Sequence, residues 1–257
     1  MEIKDLTFSY DKQKRLLHKI TAHIPKGKIT TIIGPNGSGK STLLQLLTNN
    51  LKTQAGQIII EGHALQQLKQ KQLAQMLSVV HQHNMAPEDM TVESLVYYGR
   101  LPYKKAFTSY KEEDEEIVDW AIEAVGLSNW KKKLLHTLSG GQQQRAWLAM
   151  AIAQKTPYMF LDEPTSALDI YYQYDILQLV NRLNKKEQLT TVMVLHDMNQ
   201  ALQFSDYIIA MKDGELVTFG PPEEVMTEAY IKEIYGIDVI LHEDDRVGKF
   251  IVPLKQM

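Results

Sequence analysis

The sequence contains no cysteine and very little net charge. Without cysteine the chain can form neither a disulfide framework nor a thiolate metal site, and thiol catalysis is excluded. The 28 basic residues nearly balance the 31 acidic residues, which leaves a formal net charge of −3. Because this balance offers no broad basic surface, we expect no nucleic-acid partner.

Long hydrophobic runs are also missing. The longest apolar run covers 146–153, far short of the ~20 residues that a membrane-spanning helix needs. The chain starts with Met1-Glu2-Ile3-Lys4-Asp5, which lacks the apolar stretch of a secretion signal. We therefore expect any membrane association to go through a partner protein.

What the chain does contain is an alternation of short apolar segments with helical ones. Its 257 residues, 44% of them apolar, are enough for one or two cores. Five segments rich in β-branched residues, several of them separated by helical periodicity, predict a largely parallel sheet flanked by helices. These segments are 30–33, 58–60, 78–80, 158–161 and 190–195.

Strand patterns at both ends of the chain predict a second kind of pairing. The segments 3–10 and 17–24 are typical of strands in an antiparallel layer. The segment 207–218 has the pattern of a hairpin that turns at Asp213-Gly214. The fold class that follows is α/β, with a mixed sheet and an N-terminal antiparallel β layer.

The middle of the chain, from about 87 to 156, is helical in pattern. Ser109 and Glu112 match a capping box, and Ile117 and Ala121 form part of one apolar helix face. We interpret this region as an inserted helical lobe.

A phosphate-binding pattern, G-x-x-x-x-G-K-[ST], is present in the run Gly34-Pro35-Asn36-Gly37-Ser38-Gly39-Lys40-Ser41. A predicted strand precedes it and a leucine-rich helix follows, which is the context that the pattern requires. Glycines let backbone N–H groups face phosphate oxygens, and the helix N-terminus favours negative charge. We expect Lys40 to contact the β- and γ-phosphates of ATP, Ser41 to bind Mg²⁺ and Thr42 to contact the neighbouring phosphate. A plain glycine-rich turn is the alternative.

Two carboxylates follow the apolar segment 158–161. At the end of a parallel strand beside a phosphate loop, Asp162 would hold Mg²⁺ through water and Glu163 would orient and polarise the attacking water. Without the loop, two ordinary surface carboxylates would be the better interpretation.

A second run, Leu138-Ser139-Gly140-Gly141-Gln142-Gln143-Gln144-Arg145, resembles the signature of the ATP-binding-cassette family position for position. Ser139 begins a helix, and the two glycines leave its N–H groups open to an anion. In the family, this helix start contacts the γ-phosphate bound to the opposite subunit. The nucleotide contacts that the resemblance implies here are Ser139, Gly140, Gly141 and Gln142. Ser139 and Gln142 also match an ordinary capping box, which is the alternative.

The resemblance extends, in order, to four further positions. Tyr10 lies where the family stacks an aromatic ring on adenine, and Gln82 lies where a glutamine contacts Mg²⁺ and water. Asp169 belongs to the segment through which the family's subunits touch, and His196 matches the histidine that hydrogen-bonds the γ-phosphate. His81 departs from the pattern, because many members have proline before the glutamine.

The resemblance implies one cassette, with a P-loop NTPase (RecA-like) core and an inserted helical subdomain. Its core would comprise 1–86 and 157–257, and its signature subdomain 87–156. The catalytic residues implied are Glu163, His196, Gln82 and Lys40. The Mg²⁺ ligands implied are Ser41, Gln82 and Asp162.

The partners implied are a second copy, arranged head to tail around two ATP molecules, and transmembrane permease subunits at the cytoplasmic face of the membrane. A substrate-binding protein outside the cytoplasm would act indirectly. The stretch 82–100 is our candidate for contact with a permease helix, because Met85, Met90, Tyr97 and Tyr98 suit adaptable contacts. Simple packing of the helical lobe is the alternative.

Closer resemblance is to ATPases that drive uptake of iron-siderophore complexes, haem and vitamin B12. It lies in the runs 95–102, 194–201 and 235–239. We expect an iron(III)-siderophore complex as substrate, with haem, vitamin B12 or a metal ion as alternatives. A cassette acting on DNA would carry a long coiled coil, one acting on ribosomes usually carries two cassettes, and a nucleotide kinase would lack the signature.

Overall fold

The computed structural model describes residues 1–11, 16–105 and 110–255, and its elements follow the chain in three groups. The first group is β1 (Glu2–Phe8), β2 (Leu17–His23), β3 (Ile29–Ile33), α1 (Lys40–Leu47), β4 (Ala55–Ile60), β5 (His63–Ala64) and a 3₁₀ turn at Leu65–Gln67. The second group is α2 (Gln70–Ala74), β6 (Leu77–Val80), α3 (Val92–Tyr98), α4 (Glu112–Ala124), α5 (Gly140–Ala153), β7 (Tyr158–Leu161) and α6 (Ile170–Glu187), with 3₁₀ turns at Leu101–Tyr103, Ser128–Trp130 and Leu135–Thr137. The third group is β8 (Thr190–Val194), α7 (Met198–Phe204), β9 (Tyr207–Lys212), β10 (Glu215–Gly220), α8 (Pro222–Val225), α9 (Glu228–Tyr235), β11 (Val239–Asp244) and β12 (Gly248–Pro253).

These elements form two compact units, which we describe separately. The phosphate-loop unit comprises Met1–Leu68 and Thr190–Met257, and the signature unit comprises Lys69–Leu189. The functional boundaries expected after residues 86 and 156 stay a prediction.

The phosphate-loop unit contains both kinds of strand pairing that the sequence predicts. In one sheet the order is β2-β1-β4-β5, with antiparallel pairs throughout. In the other, β3 pairs in parallel with β8 and β9, and β10 adds an antiparallel edge to β9. The buried strand β3 leads directly into the phosphate loop. The mixed sheet and the N-terminal antiparallel layer are confirmed.

One strand lies in a different sheet from the expected one. The segment 58–60 is not part of the parallel sheet, because β4 pairs antiparallel with β1 and places Ile58 opposite Ile3. A short run of β-branched residues fits either kind of buried strand, since its periodicity does not specify the direction of the partner.

The C-terminal residues form the hairpin β11–β12. The side chain of Asn199 links the hairpin to α7. Asn199 accepts a hydrogen bond from the Ile251 amide (2.7 Å) and donates one to the Ile251 carbonyl (3.1 Å). This pair of bonds imitates a strand pairing, so the hairpin packs as part of the phosphate-loop unit.

The signature unit combines the parallel pair β6–β7 with the predicted helical lobe. Helix α4 buries Val118, Ala121 and Ile122, while Ile117 is half-buried. The helix begins at Glu112 with Lys111 as its N-cap residue, and Ser109 of the predicted capping box lies outside the described residues. None of the helices in the described part of the chain has both the length and the hydropathy to cross a bilayer.

A buried ion pair joins three helical segments of the signature unit. Arg100 Nε donates to Asp114 Oδ1 at 2.9 Å, and another guanidinium nitrogen donates to the Ala153 carbonyl at 2.8 Å. Asp114 Oδ2 accepts from the Lys111 amide at 3.0 Å. Burial tends to raise the pKa of Asp114, but the Lys111 amide and the Arg100 guanidinium together hold it below its usual value. The pair therefore stabilises the fold above the unfolded-state pKa of about 4, and its contribution declines as the pH falls through the lower, folded-state value.

Replacing Asp114 by alanine leaves Arg100 as a buried cation without its carboxylate. We expect the free energy of unfolding to fall by about 3 kcal/mol, because removing the carboxylate leaves the buried Arg100 guanidinium without its counter-ion. Urea denaturation at neutral pH measures this change. Glu113→Ala, at the exposed neighbouring position of α4, is the matched control. An equal loss in both variants would contradict a structural role for the pair.

Candidate functional site

The phosphate loop connects β3 to α1 through three glycines with positive φ. The φ angles are 149° at Gly34, 82° at Gly37 and 97° at Gly39. Helix α1 begins at Lys40, and its N-cap residue, Gly39, has no side chain that could accept from the first backbone N–H groups. A helix start of this kind attracts an anion.

Two of these glycines lie where no side chain fits. A Cβ at Gly34 would be 2.2 Å from the Met211 carbonyl oxygen and 2.7 Å from Ser38 Oγ. A Cβ at Gly39 would be 2.6 Å from Leu17 Cδ2. The loop is therefore packed tightly against β9 and β2.

The polar groups inside the loop fit a phosphate chain. The Lys40 ammonium, on a residue only 5% exposed, donates to the Gly34 carbonyl (2.9 Å) and the Pro35 carbonyl (3.0 Å). The Ser38 hydroxyl is buried without a hydrogen-bond partner among the described residues. A buried hydroxyl of this kind is costly unless a ligand satisfies it. Together with the open helix start, these groups match the requirements of the β- and γ-phosphates of ATP.

Tyr10 and His196 belong to the same unit as the loop. Tyr10 is 64% exposed, packs edge-on against Phe8 with ring centres 5.0 Å apart, and has its hydroxyl 3.3 Å from Thr42 Oγ1. His196 is exposed and follows β8, whose Val194 pairs in parallel with Ile32 of β3. The loop and His196 therefore leave adjacent strands at the same edge of the sheet.

The turn of the β9–β10 hairpin supports the loop, which sequence reasoning did not predict. The Gly214 amide donates to the Ser38 carbonyl at 3.2 Å, and the Gly214 carbonyl accepts from the His18 amide at 2.9 Å. The Asp213-Gly214 pair predicts the hairpin turn. It does not predict the contacts of Gly214 with Ser38 and His18, because these contacts join segments that are far apart in the chain.

In the signature unit, the structure brings together three residues predicted from two distant segments. Strands β6 and β7 are parallel, with Val80 opposite Leu161, so the residues that follow them meet at one edge. Gln82 Nε2 donates to Glu163 Oε2 at 2.5 Å, and the Asp162 amide donates to the Val80 carbonyl at 2.9 Å.

Glu163 has a left-handed backbone, with φ of 48°. This conformation is uncommon for a residue other than glycine and costs on the order of 1 kcal/mol or more. Its carbonyl accepts from both the amide (3.1 Å) and the hydroxyl (2.9 Å) of Ser166, and this turn directs the carboxylate toward Gln82. Such strain is typical of functional positions.

The signature run forms the start of α5 as expected. Ser139 is the N-cap residue, and its hydroxyl accepts from the Gln142 amide (3.4 Å) while the Gln142 side chain accepts from the Ser139 amide (3.1 Å). The capping box is therefore real, but Ser139 and Gly140 are exposed and Gly141 is buried against Tyr172, where a Cβ would approach within 2.7 Å. The cap and an exposed helix start therefore coexist, and contact of this start with an anion stays a prediction.

Asp169 also has a local structural role. It is the N-cap residue of α6, and its carboxylate accepts from the Tyr172 amide at 3.2 Å. The side chain is nevertheless exposed at the first residue before the helix. Contact with a second copy stays a prediction for this residue.

Comparison with known proteins identifies the family. The sequence model of the ABC transporter family matches residues 17–166. The chain belongs to the ABC transporter family. It is an ATP-binding protein and an ATPase of that family, which confirms the P-loop NTPase fold and the enzyme class expected from the sequence.

Three relatives are similar over most of their length. The chain is 42% identical to the iron(3+)-hydroxamate import ATP-binding protein FhuC of Bacillus subtilis, covering 91% of this chain and 87% of the relative. It is 40% identical to the ferric enterobactin transport ATP-binding protein FepC of Escherichia coli, covering 98% and 93%. It is 41% identical to the petrobactin import ATP-binding protein FpuD of Bacillus anthracis, covering 96% and 90%.

Solved structures show the same architecture. An inward-facing metal-chelate type ABC transporter superposes with a TM-score of 0.87 at 26% identity, over 99% of this chain and 97% of that chain. The dimeric ABC transporter cassette MJ0796 superposes with a TM-score of 0.74 at 29% identity, over 86% and 98%.

Replacing Gly214 by alanine tests whether the hairpin turn supports the phosphate loop. A Cβ there would lie 2.0 Å from the Leu16 carbonyl oxygen at a φ of 81°, so the turn must shift and its hydrogen bond to the Ser38 carbonyl is disturbed. We expect ATP affinity, measured with a fluorescent ATP analogue, to fall by roughly tenfold, equivalent to about 1.4 kcal/mol.

Gly248→Ala is the matched control, because its φ of 74° imposes the same backbone strain while a Cβ there meets nothing within 4 Å. It should keep the affinity of the wild type. Equal losses in both variants would show that backbone strain alone, and not contact with the loop, explains the effect.

Proposed function

We propose that this chain is the ATP-hydrolysing subunit of an importer for an iron(III)-siderophore complex. The Gln82–Glu163 hydrogen bond carries the catalytic part of this proposal. The substrate rests on similarity, because the relatives at 40–42% identity are named for import of iron hydroxamate, ferric enterobactin and petrobactin. The metal-chelate type of the superposed transporter agrees with that class.

The phosphate loop, Gly34 to Thr42, would hold the phosphates of ATP. Lys40 would exchange its two carbonyl partners for phosphate oxygens, and the buried Ser38 hydroxyl would gain an acceptor. The exposed ring of Tyr10, fixed next to Thr42, would stack on adenine.

The Mg²⁺ ligands we assign are Ser41, Gln82 and Asp162. A hydroxyl, an amide carbonyl and a carboxylate are the hard oxygen donors that Mg²⁺ prefers. Because the Gln82 amide nitrogen donates to Glu163, its carbonyl oxygen is left for an ion or water. Bound Mg²⁺ would neutralise charge on the phosphates.

Hydrolysis would use Glu163 to accept a proton from the attacking water. The Gln82 amide fixes the carboxylate of Glu163, and the strained backbone of Glu163 sets its direction. His196, exposed at the end of β8, would donate a hydrogen bond to the γ-phosphate as charge develops there. Lys40 would stabilise the same charge from the loop.

The second half of each site would come from another copy of the chain. The residues that we assign to that contact are Ser139, Gly140, Gly141, Gln142 and Asp169. The exposed start of α5 supports this assignment, because it can bind an anion while the chain already has a phosphate loop of its own. The dimer of the superposed MJ0796 cassette is consistent with a head-to-tail pair.

Permease subunits would bind the signature unit at the cytoplasmic face of the membrane. Within the candidate stretch 82–100, Met85 is 93% exposed and Tyr98 is 51% exposed, whereas Leu95 and Val96 are buried. Contact with a permease helix is therefore assigned to Met85 and Tyr98, and packing of the lobe accounts for Leu95 and Val96. A substrate-binding protein outside the cytoplasm would deliver the complex to the permease.

Glu163→Gln should separate ATP binding from turnover. The glutamine can still accept from Gln82 but cannot take a proton from water, so we expect the ATPase rate to fall at least about 100-fold. ATP binding should persist and an ATP-bound dimer should accumulate in size-exclusion chromatography. Glu123→Gln, an exposed carboxylate of α4, should retain wild-type turnover. Near-normal phosphate release from Glu163→Gln would exclude Glu163 as the base.

Uptake assays test the substrate. In cells that lack the gene, the wild-type chain should restore accumulation of ⁵⁵Fe delivered as hydroxamate or catecholate siderophore complexes, and Glu163→Gln should not. Haem and labelled vitamin B12, assayed in the same cells, should show no dependence on the gene. Restored uptake of haem or vitamin B12 alone would reassign the substrate, and no gene-dependent uptake of any compound would contradict an importer function.

A further inference from the structure

The last residue of helix α9 lies beside the first glycine of the phosphate loop. Ile231 and Ile234 are buried and anchor the helix. Gly236, with φ of 72°, ends it in a left-handed cap whose amide donates to the Lys232 carbonyl at 2.8 Å. The backbone of Tyr235 is therefore held between a helix anchored by two buried isoleucines and a sharp turn.

Strand β9 joins α9 to the phosphate loop. The side chain of Lys212, the last residue of β9, donates a hydrogen bond to the Glu233 carbonyl of α9. At the preceding residue, the Met211 carbonyl packs so closely on Gly34 that no Cβ fits between them. A shift of α9 would therefore be transmitted to the phosphate loop through strand β9.

The Tyr235 hydroxyl is buried and makes no hydrogen bond of normal geometry. Burial raises the pKa of Tyr235 to about 12, although the backbone amide of Gly34 acts in the opposite direction and lowers it. The phenol is thus neutral at physiological pH and faces a backbone donor. A small movement of either partner would complete a hydrogen bond between them.

Gly34 is contacted from both sides of its backbone. Its carbonyl accepts from the Lys40 ammonium at 2.9 Å, and its amide faces the Tyr235 hydroxyl. When Lys40 turns to a phosphate, the Gly34 carbonyl loses that donor and the loop loses one of its restraints. Tyr235 is then placed to hold Gly34 from the other side.

We propose that Tyr235 is a positioning residue of the nucleotide site, whose hydroxyl accepts a hydrogen bond from the Gly34 amide when the loop binds the phosphates of ATP. This inference rests on the proposed use of the loop for ATP. It gives a function to the tail segment 235–239, which the sequence only related to a subgroup of ATPases. Tyr235 touches no reacting atom, so its effect is on the affinity for ATP.

Tyr235→Phe keeps the ring and removes the hydroxyl. Because that hydroxyl has no formed hydrogen bond, its loss should not lower the melting temperature of the full-length chain without ATP. The rise in melting temperature at saturating Mg-ATP should shrink, and KM for ATP should increase about fivefold, the usual effect of one hydrogen bond. The value of kcat should stay within about twofold of the wild type.

Tyr230→Phe is the matched control on the same helix. Its ring is only half-buried, and its loss of a hydroxyl should change none of these measurements. A purely structural role predicts a different pattern, in which Tyr235→Phe lowers the melting temperature equally with and without ATP. That pattern, or a KM for ATP equal to the wild-type value, would overturn the inference.

The wild type and Lys40→Ala separate this inference from the proposed function. If Mg-ATP raises the melting temperature of the wild type but not that of Lys40→Ala, the loop binds ATP. The result for Tyr235→Phe then tests only the positioning role of Tyr235. If Mg-ATP does not stabilise the wild type, both the proposed function and the role of Tyr235 are overturned.

Discussion

The backbone of Gly34 has no room for a side chain, and much of the phosphate-loop unit is arranged around that fact. The Met211 carbonyl oxygen of β9 lies only 2.2 Å from the position that a Cβ would take. In the turn of the same hairpin, the Gly214 amide donates a hydrogen bond to the Ser38 carbonyl. The Leu17 side chain of β2 packs against Gly39. Two strands and a hairpin turn thereby hold the loop. A phosphate site of this kind is preformed, so little binding energy is needed to order it.

Parallel pairing explains how the chemical groups come together within each unit. The residues after β3 and β8 leave the same edge of one sheet, which places the loop and His196 on adjacent strands. The residues after β6 and β7 do the same, and there the Gln82 amide meets the Glu163 carboxylate. Both pairs join segments more than 75 residues apart in the chain. The direction of the strands, more than any local motif, therefore assembles the candidate site.

Much of this could be predicted, because each motif carries its own local physics. Glycines at fixed spacing, a strand before them and a helix after them identify the phosphate loop, and the signature run identifies the start of α5. The prediction for 58–60 was wrong because a buried β-branched triplet fits parallel and antiparallel sheets alike, and only its contact with β1 decides between them. The contact of the Gly214 amide with the Ser38 carbonyl was not predicted for a related reason: a turn signal describes a segment, not what the segment contacts.

The sequence by itself determined the family and the order of its motifs along the chain, because these depend on residue types at short, fixed spacings. Only the tertiary structure decided which strand joins which sheet, that Glu163 has a strained backbone directed at Gln82, and that the tail helix ends beside Gly34. Those features depend on packing between distant segments. Packing follows from shape and burial in three dimensions, and a local pattern of residues does not encode it.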